Sequence, residues 1–509
     1  MQRPLRVRRL RRIAPTLWSA VLVAWPALAV AQIEAPEVPP ETQEDIAPSS
    51  PTPASEPAAA VSDAPAGSIS APPVELSTPP APLELIAATP SLRSAGGALE
   101  LVPIAEVELD SSYARAGDSA TNGGVRMRRA QAGLGAHIGG RLRVVVAGEY
   151  AVVPGAGDGG VASRIAPADV FAVIAPWGGD RFTLQVGQFD APFTLENRTR
   201  DGALDFRERS LAVRALGNPD HRDVGAMLSG HAGERLLYSV GIFNGDGPRF
   251  VNADDQYDLI GRVFVAPFSI AGYGPLRGVT IGGSGRIGDR ANTVALPAQA
   301  TPGGLAFLDF APYLAAPGGS GRARSVQLRQ VGLMRALAGE LNAPFGHRLG
   351  VRGEMVWRKS PLSEEDLSGA QRPVILGGAN LIGWAAYGEF WAWILGDDRI
   401  IGDRYGIEPS QPASAPGSAQ HGLVVAVRGE RLDETVSLEW DATNLNLHDP
   451  AVGRTRVSAG EVAFSYWHTR RLRATVDYVF SRIDGTTSQI RALPSPNVHE
   501  VGVRLALAL

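Results

Sequence analysis

The stretch Arg348-Leu349-Gly350-Val351-Arg352-Gly353-Glu354-Met355-Val356-Trp357-Arg358 alternates with period two. Leu349, Val351, Met355 and Trp357 fall on one side of an extended chain, and Arg348, Arg352, Glu354 and Arg358 on the other. Side chains of a strand point alternately to its two faces, so this segment asks for an apolar medium on one side and a polar one on the other. A membrane-barrel strand, held between lipid and an aqueous lumen, meets that demand.

The pattern recurs along the chain. Leu142, Val144 and Val146 oppose Arg141 and Arg143, and Leu423, Val425 and Val427 oppose Arg428 and Glu430. Val436, Leu438 and Trp440 are set against Thr435, Ser437 and Glu439. Leu472, Ala474, Val476, Tyr478 and Phe480 oppose Arg473, Thr475 and Asp477, and Val501, Val503, Leu505, Leu507 and Leu509 oppose Glu500, Gly502 and Arg504. Similar runs between Leu99 and Leu509 amount to about sixteen to eighteen strands of roughly ten residues, the length that crosses a bilayer when tilted. Unpaired backbone groups are intolerable in hydrocarbon, so strands that span must close into a barrel.

A soluble two-layer β-protein would alternate as well. Trp357, Trp384, Trp391, Trp393, Trp440 and Trp467 lie in or at the ends of strand candidates, where membrane girdles are expected. His468-Thr469-Arg470-Arg471 reads as a short periplasmic turn, and the Gly/Pro-rich insertions Gly288 to Arg324 and Asp397 to Gln420 read as extracellular loops. The expected fold is all-β: a transmembrane antiparallel β-barrel of about 16 (16–18) strands over residues 93–509.

Ahead of it, Arg3, Arg6, Arg8, Arg9, Arg11 and Arg12 precede an apolar stretch from Leu17 to Val30 that closes on Ala29-Val30-Ala31. Residues 1–31 therefore read as a secretory signal peptide, cleaved near Ala31. Residues 32–92, dominated by Pro, Ala, Ser and Glu, read as a disordered periplasmic arm that could contact cell wall or a partner. The chain holds 48 basic and 52 acidic residues; setting aside the signal and the arm leaves 42 against 43. So neutral a body gives no sign of a nucleic-acid partner, and any ion selectivity must lie in where the charges sit.

The usual chemical motifs are missing. The chain has no cysteine, which excludes disulfides and thiolate metal sites. Gly283, Gly285 and Gly288 match G-x-G-x-x-G, but a Pro/Gly-rich loop follows where a dinucleotide site needs a helix. The eight histidines show no metal-ligand spacing, and His221 and His231 read as loop or rim residues. No nucleophile elbow occurs, so neither a catalytic role nor a cofactor is expected.

Counting strands, Arg181 to Phe189 is the fifth and Asp223 to His231 the sixth. The loop between them carries Arg198, Arg200, Arg207, Arg209, Arg214 and Arg222 among Glu196, Asp201, Asp205, Glu208 and Asp220. Guanidinium forks fit phosphate or carboxylate oxygens, so Arg198, Arg200, Arg207, Arg209 and Arg214 are candidate constriction residues for an anion. Arg143, Arg348, Arg352, Arg428 and Arg473, read as inward-facing on the barrel wall, form a second tier. The same charges could instead pair with one another and merely hold the loop.

Val186-Gly187-Gln188-Phe189, Ala191-Pro192-Phe193, Phe206 with Glu208-Arg209-Ser210, Arg222-Asp223-Val224-Gly225 and Gly241-Ile242-Phe243-Asn244-Gly245-Asp246-Gly247 follow in that order. Here the sequence resembles the phosphate-selective porin O/P family. The resemblance implies a sixteen-stranded, homotrimeric outer-membrane porin in a Gram-negative envelope, with its third loop folded inward and anions such as phosphate or polyphosphate passing. A structural envelope barrel, with its Pro-rich arm tethering cell wall or a partner, is the alternative reading.

Overall fold

The computed structural model describes residues 91–508, apart from loop stretches at 155–160, 178–180, 218–220, 249–251, 253–254, 269–273, 311–312, 316–323, 368–373, 397–420, 442–452 and 486–494 and scattered single positions. The signal peptide and the arm lie outside the described residues, save the last two positions of 32–92. Sixteen strands form the barrel. In chain order these are β1 (Leu99–Ala116), β2 (Ser119–Ile138), β3 (Leu142–Pro154), β4 (Val161–Ile174), β5 (Thr183–Asp190), β6 (Arg222–Ala232), β7 (Leu236–Phe243) and β8 (Asp258–Val265). There follow β9 (Thr280–Gly288), β10 (Met334–Phe345), β11 (Leu349–Asp366), β12 (Val374–Gly396), β13 (Gly422–Asp441), β14 (Gly453–Trp467), β15 (Leu472–Gly485) and β16 (Asn497–Ala508). Each pairs antiparallel with its neighbours in sequence, and β16 returns to β1 in a register running from Glu106 opposite Ala508 to Ala116 opposite Val498. The sheet thus has no free edge, as a barrel in hydrocarbon requires. The fifth and sixth strands fall where the sequence placed them, and the glycines 283, 285 and 288 sit in β9.

The two faces follow the alternation. On β15 and β16, Val476, Tyr478, Val501, Val503 and Leu505 point outward and are exposed, whereas Arg473, Thr475, Asp477, Glu500 and Arg504 point inward and are buried. Two expectations are corrected by strand parity. On β13, residues 422–436 pair with β14 without interruption, so Val436 shares the inner face with Arg428 and Glu430. Val436 is accordingly buried, and Ser437 is exposed. One unbroken strand cannot place both Val427 and Val436 outside.

The second correction concerns the tryptophans. Trp384 points outward, but Trp391, Trp393 and Trp467 are buried and pack with Phe206, Val424, Ala426 and Ala463 inside the barrel. Trp391 and Trp393 have the parity of inward Glu389, while outward Phe390 lies between Glu389 and Trp391. Glycine makes the room: a Cβ on Gly350 would come within 2.4 Å of the Trp391 ring, and one on Gly422 within 2.4 Å of the Trp393 ring.

Wall height varies around the barrel. β7 and β8 have 8 residues each, whereas β12 has 23. β5 stops at Asp190, beside the middle of β4, where Gln188 pairs with Val170. The chain therefore turns into the lumen partway up the wall, which positions the candidate site. Loops after odd-numbered strands leave one end of the barrel and turns after even-numbered strands the other. The connection after β9 leaves the loop end, as expected of residues 288–324. The insertion 397–420 is different: it follows β12, and Gly396 accepts a hydrogen bond from Arg348 in the turn between β10 and β11 at 3.0 Å. It leaves from the turn end, beside His468–Arg471, and not with the long loops; its own course lies outside the described residues.

Candidate functional site

The connection from β5 to β6 crosses the lumen as a helical turn (Leu195–Arg198), a 3-10 turn (Asp201–Ala203) and a short wide helix (Ala212–Leu216). Thr194 starts the first turn in a left-handed conformation, φ 69°, and its hydroxyl accepts the Asn197 N–H. Such a conformation in a β-branched residue is strained and persists only where the surroundings over-determine it. They do: the Thr194 N–H donates to Ser284 Oγ of β9 at 3.1 Å, and the next two N–H groups donate to the Glu354 carboxylate of β11 at 2.7 and 2.8 Å. Tyr387 of β12 donates its hydroxyl to the same carboxylate at 2.8 Å.

Arginines and carboxylates secure the rest of the loop. Arg198 donates to the Asp190 carbonyl, tying the turn to the end of β5. Arg209 bonds the Glu196 carbonyl at 3.0 Å, the Thr199 carbonyl at 2.7 Å, and Asp201. Arg214 reaches the carbonyls of Arg209 and Ala300 at 2.7 and 2.6 Å. Arg207 meets Asp477 of β15 through Nε at 2.7 Å. The loop's acids bind wall arginines in return: Glu208 takes Arg128 of β2 and Arg504 of β16, Asp201 takes Arg129 of β2 at 2.6 Å, and Glu196 takes Arg428 of β13 at 3.2 Å. Arg428 also meets Glu430 and Glu461 and lies 4.2 Å from the centre of the Phe206 ring.

Of the second tier, Arg428 and Arg473 face the loop, the latter donating to the Leu204 carbonyl. Arg352 lies 3.7 Å from Glu389, and Arg143 is half-buried with its guanidinium 5.8 Å from the Phe171 ring centre. Arg348 is corrected: it sits in the exposed turn before β11, not on an inward strand face. Arg200 lies outside the described residues.

A second loop also enters. Within the connection from β9 to β10, Gln299–Ala300 and Ala306–Leu308 form a separate two-stranded sheet. Thr301 and the Gly303 N–H donate to Glu500 of β16, the latter at 3.0 Å, and Gln299 donates to Glu434 of β13 at 3.0 Å. Phe307, Leu308 and Phe310 are fully buried in one apolar cluster with Leu211, Ala212, Leu216, Leu432 and Val436.

Three loop groups have displaced pKa values. Burial alone would raise Glu208, but Arg128 and Arg504 override it and hold the carboxyl well below its usual range. Asp201 is likewise held low against burial by Arg129 and Arg209. His221 is pushed down by burial and then by Arg209, so it stays neutral. Its ring nitrogens face Arg209 at 3.0 Å and Asn197 Oδ1 at 3.2 Å. His221, with Glu106, Arg129, Gln131, Asp169, Asp190, Asp201, Arg209 and Arg222, lines a polar cavity beneath the loop.

The wall partners Glu354, Asp477, Glu500, Arg129 and Arg504 escaped the sequence reading. Glu354, Asp477, Glu500 and Arg504 were visible only as charges on alternating strands, and Arg129 was not singled out at all.

A closed sixteen-stranded barrel with an apolar outer band and a loop folded across a polar lumen is the build of an outer-membrane porin. Residues 106–293 match the model of the family described as phosphate-selective porin O and P, so the resemblance carried by residues 186–247 is shown on the segment that contains them. The family match over residues 106–293 and the closed barrel together indicate a Gram-negative outer membrane. A search of curated proteins finds no match. Among solved structures, outer-membrane expressed OmpT of Vibrio cholerae is 10% identical with a TM-score of 0.43, over 82% of this chain and 100% of its own. The anion-selective porin from Comamonas acidovorans is 9% identical with a TM-score of 0.42, over 81% and 100%. Salmonella typhi OmpF in complex with daunomycin is 10% identical with a TM-score of 0.45, over 82% and 100%.

Proposed function

We propose that this porin passes small hydrophilic solutes passively, with phosphate-like anions favoured along a strip of guanidinium groups between the crossing loop and the wall formed by β15, β16 and β1. One observation carries the reading. Both terminal nitrogens of Arg207, a fully buried residue, lack a hydrogen-bond partner among the described residues, although Nε is held by Asp477 and Nη1 lies 4.0 Å from the Asp110 carboxylate. Two donors fixed in a planar fork fit one phosphate or carboxylate edge. Arg473 Nε on the neighbouring wall is also without such a partner, which gives the anion a next step. Arg198, Arg200, Arg209 and Arg214 supply the surrounding positive charge in this proposal, with Arg143, Arg352 and Arg428 behind them.

Carboxylates outnumber guanidinium groups among the buried side chains, so the preference is local and modest. The protomer works as one of three in a homotrimer, the signal is removed near Ala31, and residues 32–92 reach towards the cell wall; these are parts of the proposal. No chemical conversion is assigned to the barrel. The test is conductance of the full mature chain in a planar bilayer under a KCl gradient, with phosphate then added. An anion-selective reversal potential and chloride current reduced by phosphate are expected, both weakened in Arg207→Gln. Cation selectivity indifferent to Arg207→Gln would refute the anion strip, and absence of channels would favour the structural tether.

A further inference from the structure

The hairpin Gln299–Leu308 stands apart from the barrel wall. Its backbone pairs only with itself, as a two-stranded sheet, and its polar ties to the wall all run through side chains. Thr301 and Gly303 meet Glu500, Gln299 meets Glu434, and the Ala300 carbonyl accepts from Arg214 of the crossing loop. Glu434 and Glu500 are on β13 and β16, three strands apart on one flank of the wall, so the hairpin is latched along that flank and tied to the crossing loop through Arg214.

Its apolar side is seated just as closely. Phe307 is 0% exposed and Leu308 1%, and both pack with Leu211, Ala212 and Leu216 of the crossing loop and with Leu432 and Val436 of the wall. Val436 is the inward residue that the alternation had assigned to lipid; here it supplies part of the hairpin's seat. Fit at the latch is tight, since a Cβ on Gly303 would come within 2.5 Å of Glu500 Oε1.

We propose that this hairpin is a plug: seated, it closes the lumen over the crossing loop, and the channel opens when the hairpin leaves Glu434 and Glu500. Over Gln299–Leu308 the seat has what a two-state element needs, namely a few polar latches and one apolar contact with no backbone ladder to the wall, while the flanks Ala291–Ala295 and Tyr313–Ala315 stay paired with Arg324–Val331, which pairs with β11. Release leaves the sixteen-strand ladder intact, because no barrel strand loses a backbone partner.

The inference rests on the porin reading, and the experiment separates the two. Single-channel recordings compare the full mature chain with a variant in which residues 299–308 are replaced by a short Gly/Ser link, and with Gly303→Asp, which sets a second carboxylate against Glu500. Heat-modifiable migration in gels verifies that each barrel is folded. The expected result is a parent channel that is mostly closed, with open probability raised at least tenfold in both variants and conductance per opening raised severalfold in the deletion. Equal open probability and conductance in parent and variants would overturn the plug and leave the porin standing. No current from any of the three folded proteins would overturn both.

Discussion

Glu354→Ala removes the wall's hold on the start of the crossing loop. Glu354 accepts the N–H groups of Leu195 and Glu196 at 2.7 and 2.8 Å, in a place from which water is excluded. Leaving a buried donor without its partner costs roughly 1–3 kcal/mol, and both donors would be left so. The seated loop should therefore lose about 2–6 kcal/mol, which corresponds to a rise of roughly one and a half to four powers of ten in the unseated population. Glu354→Gln keeps one acceptor oxygen and should lose about half as much. The chain contains no cysteine, so Ala212→Cys, at a position 0% exposed, becomes a unique reporter of loop seating. Maleimide labelling of that thiol should accelerate strongly in the Glu354→Ala background and moderately in Glu354→Gln. Equal labelling rates in all three backgrounds would show that Glu354 does not hold the loop, whatever its distances suggest.

Gly502 lies under the Arg207 guanidinium, and a Cβ there would come within 1.8 Å of Cζ. Gly502→Ala should displace Arg207 from Asp477 and cost about 3–5 kcal/mol, the usual penalty for breaking a buried pair; urea unfolding in detergent would measure it, and a loss under 1 kcal/mol contradicts it. The pH response should come in two stages. His221 has a lowered folded pKa, so the unfolded state binds its proton first and stability falls as pH drops below about 6.5, by up to about 1.4 kcal/mol per unit. Asp201 and Glu208 also have lowered folded pKa values, so their contribution is complete above about pH 4 and is lost only in stronger acid. Unfolding measured from pH 8 to pH 3 should lose the first stage in His221→Gln and keep the second; an unaltered first stage would assign it to another group.

The barrel was legible because lipid and lumen impose a period of two on every wall strand, as in β11, β15 and β16. The crossing loop was legible from its arginines and from words such as Ala191-Pro192-Phe193. What escaped was pairing across the lumen. Arg207 meets Asp477 and Leu195 meets Glu354 because barrel closure brings distant strands together, and alternation gives each charge a face without giving it a partner. Some errors were avoidable. Trp391 and Trp393 share the parity of Glu389, and Val436 has the parity of Arg428, so both inward placements follow once each strand is taken as continuous. The placement of residues 397–420 followed from counting strands, where loop length alone misled.

The uneven wall has a consequence for the surrounding lipid. Eight residues of β7 or β8 extend roughly 26 Å along the strand. Tilted by about 40°, that gives a height near 20 Å, short of the roughly 25 Å apolar band of such barrels. Hydrocarbon chains meeting this side face a mismatch of about 5 Å, which is relieved by thinning of the leaflets, by a lean of the whole barrel, or by a neighbouring protein that takes the place of lipid. With β5, which also has 8 residues and ends at Asp190, these short strands make one flank of the molecule a poor solvent match for an undisturbed bilayer, and so give it a preferred side for company.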